Sequence, residues 1–135
     1  MLRSYVSGGW HTATDGGRPL HDAVTGAEIT RISSTGVDFA GALEFGRRVG
    51  GPALRELTFH QRAALLRELG LYLRERRDEL YAVSARTGAT KFDSMFDVDG
   101  GFGVLLAYSS KGRRELPNDT AYVDAPYVDL SLIHI

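Results

Sequence analysis

The spacing of apolar residues divides the chain into a short β-rich start and a longer helical remainder. Residues 3–6 and 10–12 flank a glycine-rich stretch, SGG, at 7–9. Because glycine allows the positive φ of a tight turn, this region predicts a β-hairpin. A second strand pair is predicted around residues 24–27, with residues 28–33 as its stronger half.

The first helix is predicted over residues 38–49. Asp38 is a suitable N-cap, and the breakers at 50–52 (GGP) predict the end of the helix. Residues 15–19 (DGGRP) predict a loop between the hairpins, since glycine and proline interrupt regular structure. One side of the helix carries Phe39, Ala40, Leu43 and Arg47.

The second helix is predicted from Thr58 to about Thr87. Thr58 and Gln61 have the spacing of a capping box, in which each side chain binds the other residue's backbone N–H. Gly88 suits a left-handed cap at the end of the helix. The apolar residues at helical spacing are Leu66, Leu69, Leu73, Leu80 and Val83.

The third helix is predicted over residues 91–115, and residues 117–119 (PND) end it. Its apolar side consists of Met95, Phe102, Leu105, Leu106 and Tyr108. Two short hairpins offer little area for burying three apolar stripes. We therefore expect the front part of a larger α/β domain whose main sheet lies downstream.

Composition excludes several classes of function. The chain has 135 residues, a net charge of −1 and no cysteine, so disulfides, thiolate metal sites and a cysteine nucleophile are excluded within it. The charge balance gives no case for nucleic acid or an anionic membrane. The basic clusters at 74–77 and 113–114 have acidic neighbours and are interpreted as solvated helix faces. With no apolar start typical of a signal peptide, we expect a cytoplasmic protein.

Individual polar residues do not define a catalytic or metal site. Asp93 and Asp97 share a helix face but are too few for a hard cation, so carboxylates in an early helical turn are the preferred interpretation, also for Asp99. The histidines lack zinc-ligand spacing, and His60 is expected at the surface of a first helical turn. The three histidines considered are His11, His21 and His60.

The glycines among residues 100–103 (GGFG) are unusual inside a helix, where each costs about 1 kcal/mol relative to alanine. Either a neighbouring element packs closely against the backbone, or the missing side chains leave a groove for a ligand. Both explanations remain open on the sequence.

The last six residues, 130–135 (LSLIHI), can be written as codons of a sequencing-library adapter. We interpret them as adapter read-through. Residues 1–129 are then expected to be an incomplete N-terminal segment of a longer protein. The other interpretation is a short apolar C-terminal strand.

Residues 5–10 (YVSGGW) and 22–28 (DAVTGAE) resemble the opening of aldehyde dehydrogenases, in which a Tyr-(Ile/Val)-x-Gly-x-Trp hairpin precedes an Asn-Pro-Ala-Thr-Gly-Glu turn. Here Asp22 replaces the usual asparagine and Ala23 the proline. Later blocks are similar to the PaaZ family of bifunctional phenylacetate-degradation proteins, and the resemblance extends from residue 2 to about residue 124. The blocks are 47–55 (RRVGGPALR), 57–63 (LTFHQRA), 84–90 (SARTGAT), 97–101 (DVDGG) and 112–117 (GRRELP).

The resemblance implies an NADP-dependent aldehyde dehydrogenase domain, followed in the full-length protein by a hydratase that opens oxepin-CoA. The implied fold is α/β: N-terminal hairpins and three helices, truncated before most of the parallel sheet. The implied substrate is a CoA-linked semialdehyde, and the implied assembly a homo-oligomer. The reacting cysteine and glutamate of such enzymes have no counterpart here, so no catalytic, cofactor-binding or metal residue is assigned and the chain alone is predicted inactive and unable to bind NADP.

The resemblance also implies a substrate-tunnel wall that begins just after the second aspartate of the Asp-x-Asp helix. The matching position is Gly100, and Phe102 and Gly103 follow within a turn. A glycine there would widen the tunnel for a CoA-linked substrate.

Two alternatives stay open. The 3,4-dehydroadipyl-CoA semialdehyde dehydrogenases of benzoyl-CoA breakdown share the GGPALR and DxDG blocks, but are less similar at 84–90 and 112–117. The other alternative is a non-catalytic helical interaction module, which should fold alone and unfold cooperatively. A segment of a larger domain should instead expose its apolar stripes and aggregate.

Overall fold

The computed structural model describes residues 1–122. The predicted adapter-derived residues 130–135 lie outside the described residues. The strands are β1 (Ser4–Val6), β2 (Gly9–His11), β3 (Arg18–His21) and β4 (Glu28–Ile32). The helices are α1 (Phe39–Phe45), α2 (Gly51–Glu56), α3 (Phe59–Glu75), α4 (Arg77–Ala85), α5 (Lys91–Ser94) and α6 (Gly100–Glu115). Two π-turns, Gly46–Gly50 and Met95–Asp99, join α1 to α2 and α5 to α6.

The first predicted hairpin is confirmed. Strands β1 and β2 pair antiparallel, with Val6 opposite Gly9. Ser7 and Gly8 between them have φ of 51° and 80°, the two positive values of a type I′ hairpin turn. Gly9 therefore belongs to the second strand and not to the turn.

The second hairpin is confirmed, but its first strand was predicted in the wrong place. Strand β3 contains Arg18 and Pro19, which the breaker rule assigned to a loop, and it pairs antiparallel with β4. Proline is tolerated because a strand in a two-stranded sheet has an outer edge that needs no N–H donor. The expected strand at 24–27 is a turn, in which the carboxylate of Asp22 accepts hydrogen bonds from the backbone N–H of Val24 and Thr25, both at 2.9 Å.

The predicted stop of the first helix at 50–52 is wrong. Asp38 caps α1 as expected, but the chain stays helical through the first π-turn into α2. The N–H of Gly51 donates to the carbonyl of Gly46, five residues back, so the hydrogen-bond spacing widens just before Pro52. Pro52 then occupies the first turn of α2, where its missing N–H costs little. None of the residues in α1, this π-turn or α2 is buried.

The second predicted helix is two helices. The capping box at Thr58 and Gln61 is confirmed, with hydrogen bonds of 2.8 and 3.2 Å. The helix breaks at Arg76, whose N–H bonds three residues back to Leu73 and whose guanidinium lies 3.6 Å from the ring centre of Tyr72. Gly88 has φ of 88°, so the left-handed cap is confirmed.

The third predicted helix keeps its limits at 91 and 115 but contains the second π-turn. A capping box that the sequence reasoning missed begins it: Thr90 and Asp93 exchange hydrogen bonds of 3.1 and 3.2 Å. Of the predicted apolar side, Phe102 is buried, whereas Met95 and Tyr108 are 44% and 64% exposed.

The main tertiary contact is between α3 and α6. Small residues let the two helices approach closely: a Cβ at Gly112 would lie 3.3 Å from the Cβ of Ala63, and one at Gly70 would lie 3.0 Å from Leu106 Cδ2. The buried apolar residues among those described are Ala13, Ala63 and Phe102. This core is small for three apolar stripes, and several predicted core positions, such as Val83, remain exposed.

His60 lies in the first turn of α3 as expected, and its side chain is partly exposed. The His60 Nε2–H donates to the carbonyl of Leu116 at 2.9 Å and ties the start of α3 to the end of α6. His11 and His21 bind the carbonyls of Thr35 and Gly26 in the same way. All three histidines therefore act as side-chain-to-backbone links in the described structure.

Candidate functional site

The glycine cluster lies where the second π-turn passes into α6. A Cβ built at Gly100, Gly101 or Gly103 would meet no atom within 4 Å among the described residues. Close packing within residues 1–122 therefore does not explain these glycines, in contrast to Gly70 and Gly112. The three positions leave open surface at the start of α6.

Phe102 stands apart from its glycine neighbours. It is only 8% exposed and belongs to the small core. Of the three predicted tunnel residues, the structure thus places Gly100 and Gly103 on an open surface and Phe102 inside.

The backbone before Gly100 has a distinctive conformation. The π-turn Met95–Asp99 ends directly at Gly100, and single π-turns inside helices often occur at functional sites. The phenol of Tyr81 on α4 donates a 2.8 Å hydrogen bond to Asp99 Oδ1 at the end of this turn. That hydrogen bond raises the pKa of Tyr81, because the neutral phenol is the donor form.

Sequence reasoning missed Tyr81 because nothing local marks it. Eighteen residues separate it from Asp99, so no helical spacing rule joins the two. In the sequence, Tyr81 simply follows the apolar residue Leu80 of the predicted second helix. Such a neighbour is too common to identify a contact.

Two polar residues of α5, Asp93 and Ser94, have structural partners. Asp93 accepts hydrogen bonds from the hydroxyl and the N–H of Thr90, which lower the pKa of its carboxyl. Ser94, 2% exposed, donates to the hydroxyl of Ser84 at 2.9 Å and so links α5 to α4. Within residues 1–122, no group of three or more His, Cys, Asp or Glu side chains could hold a metal ion.

The arrangement leaves an open surface beside the start of α6. The chain contains no cysteine, the carboxylates of Asp93 and Asp99 accept hydrogen bonds, and Asp97 is exposed. No helix among the described residues is both long and apolar enough to cross a membrane.

Comparison with known proteins gives one informative similarity. Over 113 residues, 83% of this chain, the sequence is 42% identical to a 3,4-dehydroadipyl-CoA semialdehyde dehydrogenase of Aromatoleum evansii. The chain spans 22% of the length of that relative. No family model matches the chain.

The similarity relates the matched 113 residues to one part of that aldehyde dehydrogenase-related protein. The mixed helices and antiparallel strand pairs of residues 1–122 are compatible with one segment of an α/β domain.

Proposed function

We propose that this chain is part of a dehydrogenase that oxidises a CoA-linked semialdehyde to the acid. The observation that carries the proposal is the 42% identity to a dehydrogenase of this kind over most of the chain. The exposed apolar surface also supports it: Phe39, Phe92 and Phe96 are 67%, 69% and 73% exposed, as expected where a larger domain would cover them.

The finer assignment rests on the sequence blocks. Residues 84–90 and 112–117 resemble the phenylacetate-degradation family, which favours an NADP-dependent enzyme fused to an oxepin-CoA ring-opening hydratase, homo-oligomeric and cytoplasmic. The second candidate is oxidation of 3,4-dehydroadipyl-CoA semialdehyde, and it is favoured by the name of the relative. Gly112 has its own packing reason against Ala63, so the phenylacetate assignment depends chiefly on residues 84–90.

A hybrid enzyme tests the general proposal. In it, the matching segment of the Aromatoleum evansii relative is replaced by the corresponding residues of this chain. We expect the hybrid to oxidise 3,4-dehydroadipyl-CoA semialdehyde, with reduction of the nicotinamide followed by absorbance. A correctly folded hybrid with no such oxidation would contradict the proposal, and the unmodified relative is the control. Running NAD and NADP in parallel tests the expected cofactor.

In the proposed enzyme, Gly100 and Gly103 line the passage for the substrate. Gly100→Ala and then Gly100→Leu in the hybrid should lower turnover progressively, because the larger side chain would enter the passage. Gly46→Leu is a matched control: Gly46 also borders a π-turn and has no neighbour within 4 Å of an added Cβ. If Gly100→Leu leaves turnover unchanged, the passage does not run past Gly100.

A further inference from the structure

Three arginines from two helices surround one open cleft of about 420 Å³ on the α3–α6 pair. Arg67 comes from the middle of α3, and Arg113 and Arg114 from the last turn of α6. The cleft is lined by Arg67, Leu106, Ser109, Ser110, Arg113 and Arg114.

The positive charge of this cleft is not neutralised within residues 1–122. None of the three guanidinium groups forms an ion pair or side-chain hydrogen bond there. Glu115, the acidic neighbour in sequence, pairs with Lys111 at 3.7 Å. The nearby Glu68 lines an adjacent cavity but lies beyond ion-pair distance of Arg67 and Arg113. Arg113 and Arg114 are exposed, in agreement with the interpretation of 113–114 as a solvated helix face, but Glu115 pairs with Lys111 and with neither arginine.

The dipole of α6 explains the position of two of the three arginines but not of the third. Basic side chains in the last turn of a helix are favoured by the helix dipole, which accounts for Arg113 and Arg114. It gives no reason for Arg67, which comes from another helix and lines the same cleft. Guanidinium groups from several directions are the usual ligands of phosphate, whose oxygens accept paired hydrogen bonds from arginine. Ser109, 2% exposed, is also among the lining residues.

The cleft and the open glycines lie along the same side of α6. This side of α6 is formed by residues that recur at intervals of three and four: Gly100, Gly103, Ala107, Ser110 and Arg114. All but the last are small. At 1.5 Å per residue, Gly100 and Arg114 are about 20 Å apart along the helix. A long, thin ligand could then have its phosphates at the arginines and its other end beside Gly100.

We propose that Arg67, Arg113 and Arg114 form a binding site for the phosphate groups of a nucleotide-bearing ligand, namely the CoA end of the proposed substrate. The proposal rests on the proposed function for the identity of the ligand. The shared chemistry, a nucleotide phosphate, also occurs in NADP, and the experiment separates the two.

Direct binding is measured by calorimetric titration of the full 135-residue chain with CoA and, separately, with NADP. We expect each of three substitutions to weaken CoA binding about fivefold, as for an exposed ion pair: Arg67→Gln, Arg113→Gln and Arg114→Gln. Higher salt should weaken CoA binding further. Arg74→Gln is the matched control, since Arg74 also lies on α3 but outside the cleft. CoA binding that is unchanged in the cleft variants, or binding of NADP instead of CoA, would overturn the proposal.

A kinetic readout in the hybrid enzyme does not depend on how the isolated chain behaves. The three cleft substitutions should raise the KM for a CoA-linked semialdehyde about fivefold each while leaving the KM for a CoA-free semialdehyde and for the nicotinamide unchanged. Equal effects on both aldehydes would refute a CoA site. If the hybrid oxidises the substrate and the cleft variants do not matter, only this inference fails. If CoA binds through the arginines but the hybrid is inactive, only the proposed function fails.

Discussion

The contact between Gly70 of α3 and Leu106 of α6 leads to a prediction in which the effect of one substitution changes sign. Gly70 is buried, and an added Cβ would lie 3.0 Å from Leu106 Cδ2 and 3.1 Å from Leu106 Cγ. These distances are shorter than ordinary carbon–carbon contacts, which lie near 3.5–4.0 Å, roughly the van der Waals optimum. Leu106 would have to move for an alanine to be accommodated.

Two opposing terms set the size of the effect of Gly70→Ala. Alanine is favoured over glycine inside a helix by about 1 kcal/mol. Overpacking a close contact costs about 1–3 kcal/mol, so the net change is a destabilisation of up to about 2 kcal/mol. In a Leu106→Ala background both close atoms are gone, and the same Gly70→Ala substitution should stabilise α3 by about 1 kcal/mol.

The assay is hydrogen–deuterium exchange of peptides from α3 and α6 in the hybrid enzyme, which reports the free energy of opening of each helix. Gly70→Ala should speed exchange when Leu106 is present and slow it when residue 106 is alanine. If Gly70→Ala slows exchange equally in both backgrounds, the two helices are not packed as closely at this point as the structure indicates.

Three further predictions concern single hydrogen-bonding groups, each measured in the same hybrid enzyme. Thr58→Ala removes the α3 cap and should cost about 1 kcal/mol in the free energy of opening of α3, whereas an unchanged value would contradict the capping role. Backbone N–H groups, chiefly of Thr25, lower the pKa of Asp22 below its ordinary 3.8, so the stability that this group contributes is present above pH 3.8 and is lost as the pH falls further. Asp22→Asn should therefore reduce the acid sensitivity of exchange around the second hairpin, and an unchanged acid profile would argue against it. Tyr81→Phe should speed exchange in the π-turn before Gly100 because Asp99 loses its 2.8 Å donor, while equal exchange in both proteins would refute that link.

Local rules of sequence identified the elements whose causes are local. The Ser7–Gly8 turn, the Thr58 capping box and the left-handed Gly88 each depend on residues within a few positions of one another. The rules that end a helix or strand at proline failed where the local backbone does not need the missing N–H group. Pro19 lies on a strand that has one partner strand among residues 1–122, and Pro52 follows a π-turn. Neither circumstance is visible from the residue type alone.

The candidate site also combines features that depend on local sequence with contacts that depend on tertiary structure. The glycines at 100–103 were identified because they oppose helix propensity, and the structure adds that their surroundings are open. The Tyr81–Asp99 hydrogen bond and the meeting of Arg67 with Arg113 depend on how separate helices pack. Such contacts are set by tertiary structure and have no signature in the spacing of residues along one helix.

The genomic DNA that follows residue 129 provides the most direct test of the central claim that this chain is part of a CoA-semialdehyde dehydrogenase. We predict that the natural reading frame replaces residues 130–135 and continues into a region that supplies the cysteine nucleophile of an aldehyde dehydrogenase. Genomic DNA that encodes residues 130–135 as they stand, followed by a stop codon, would contradict the account.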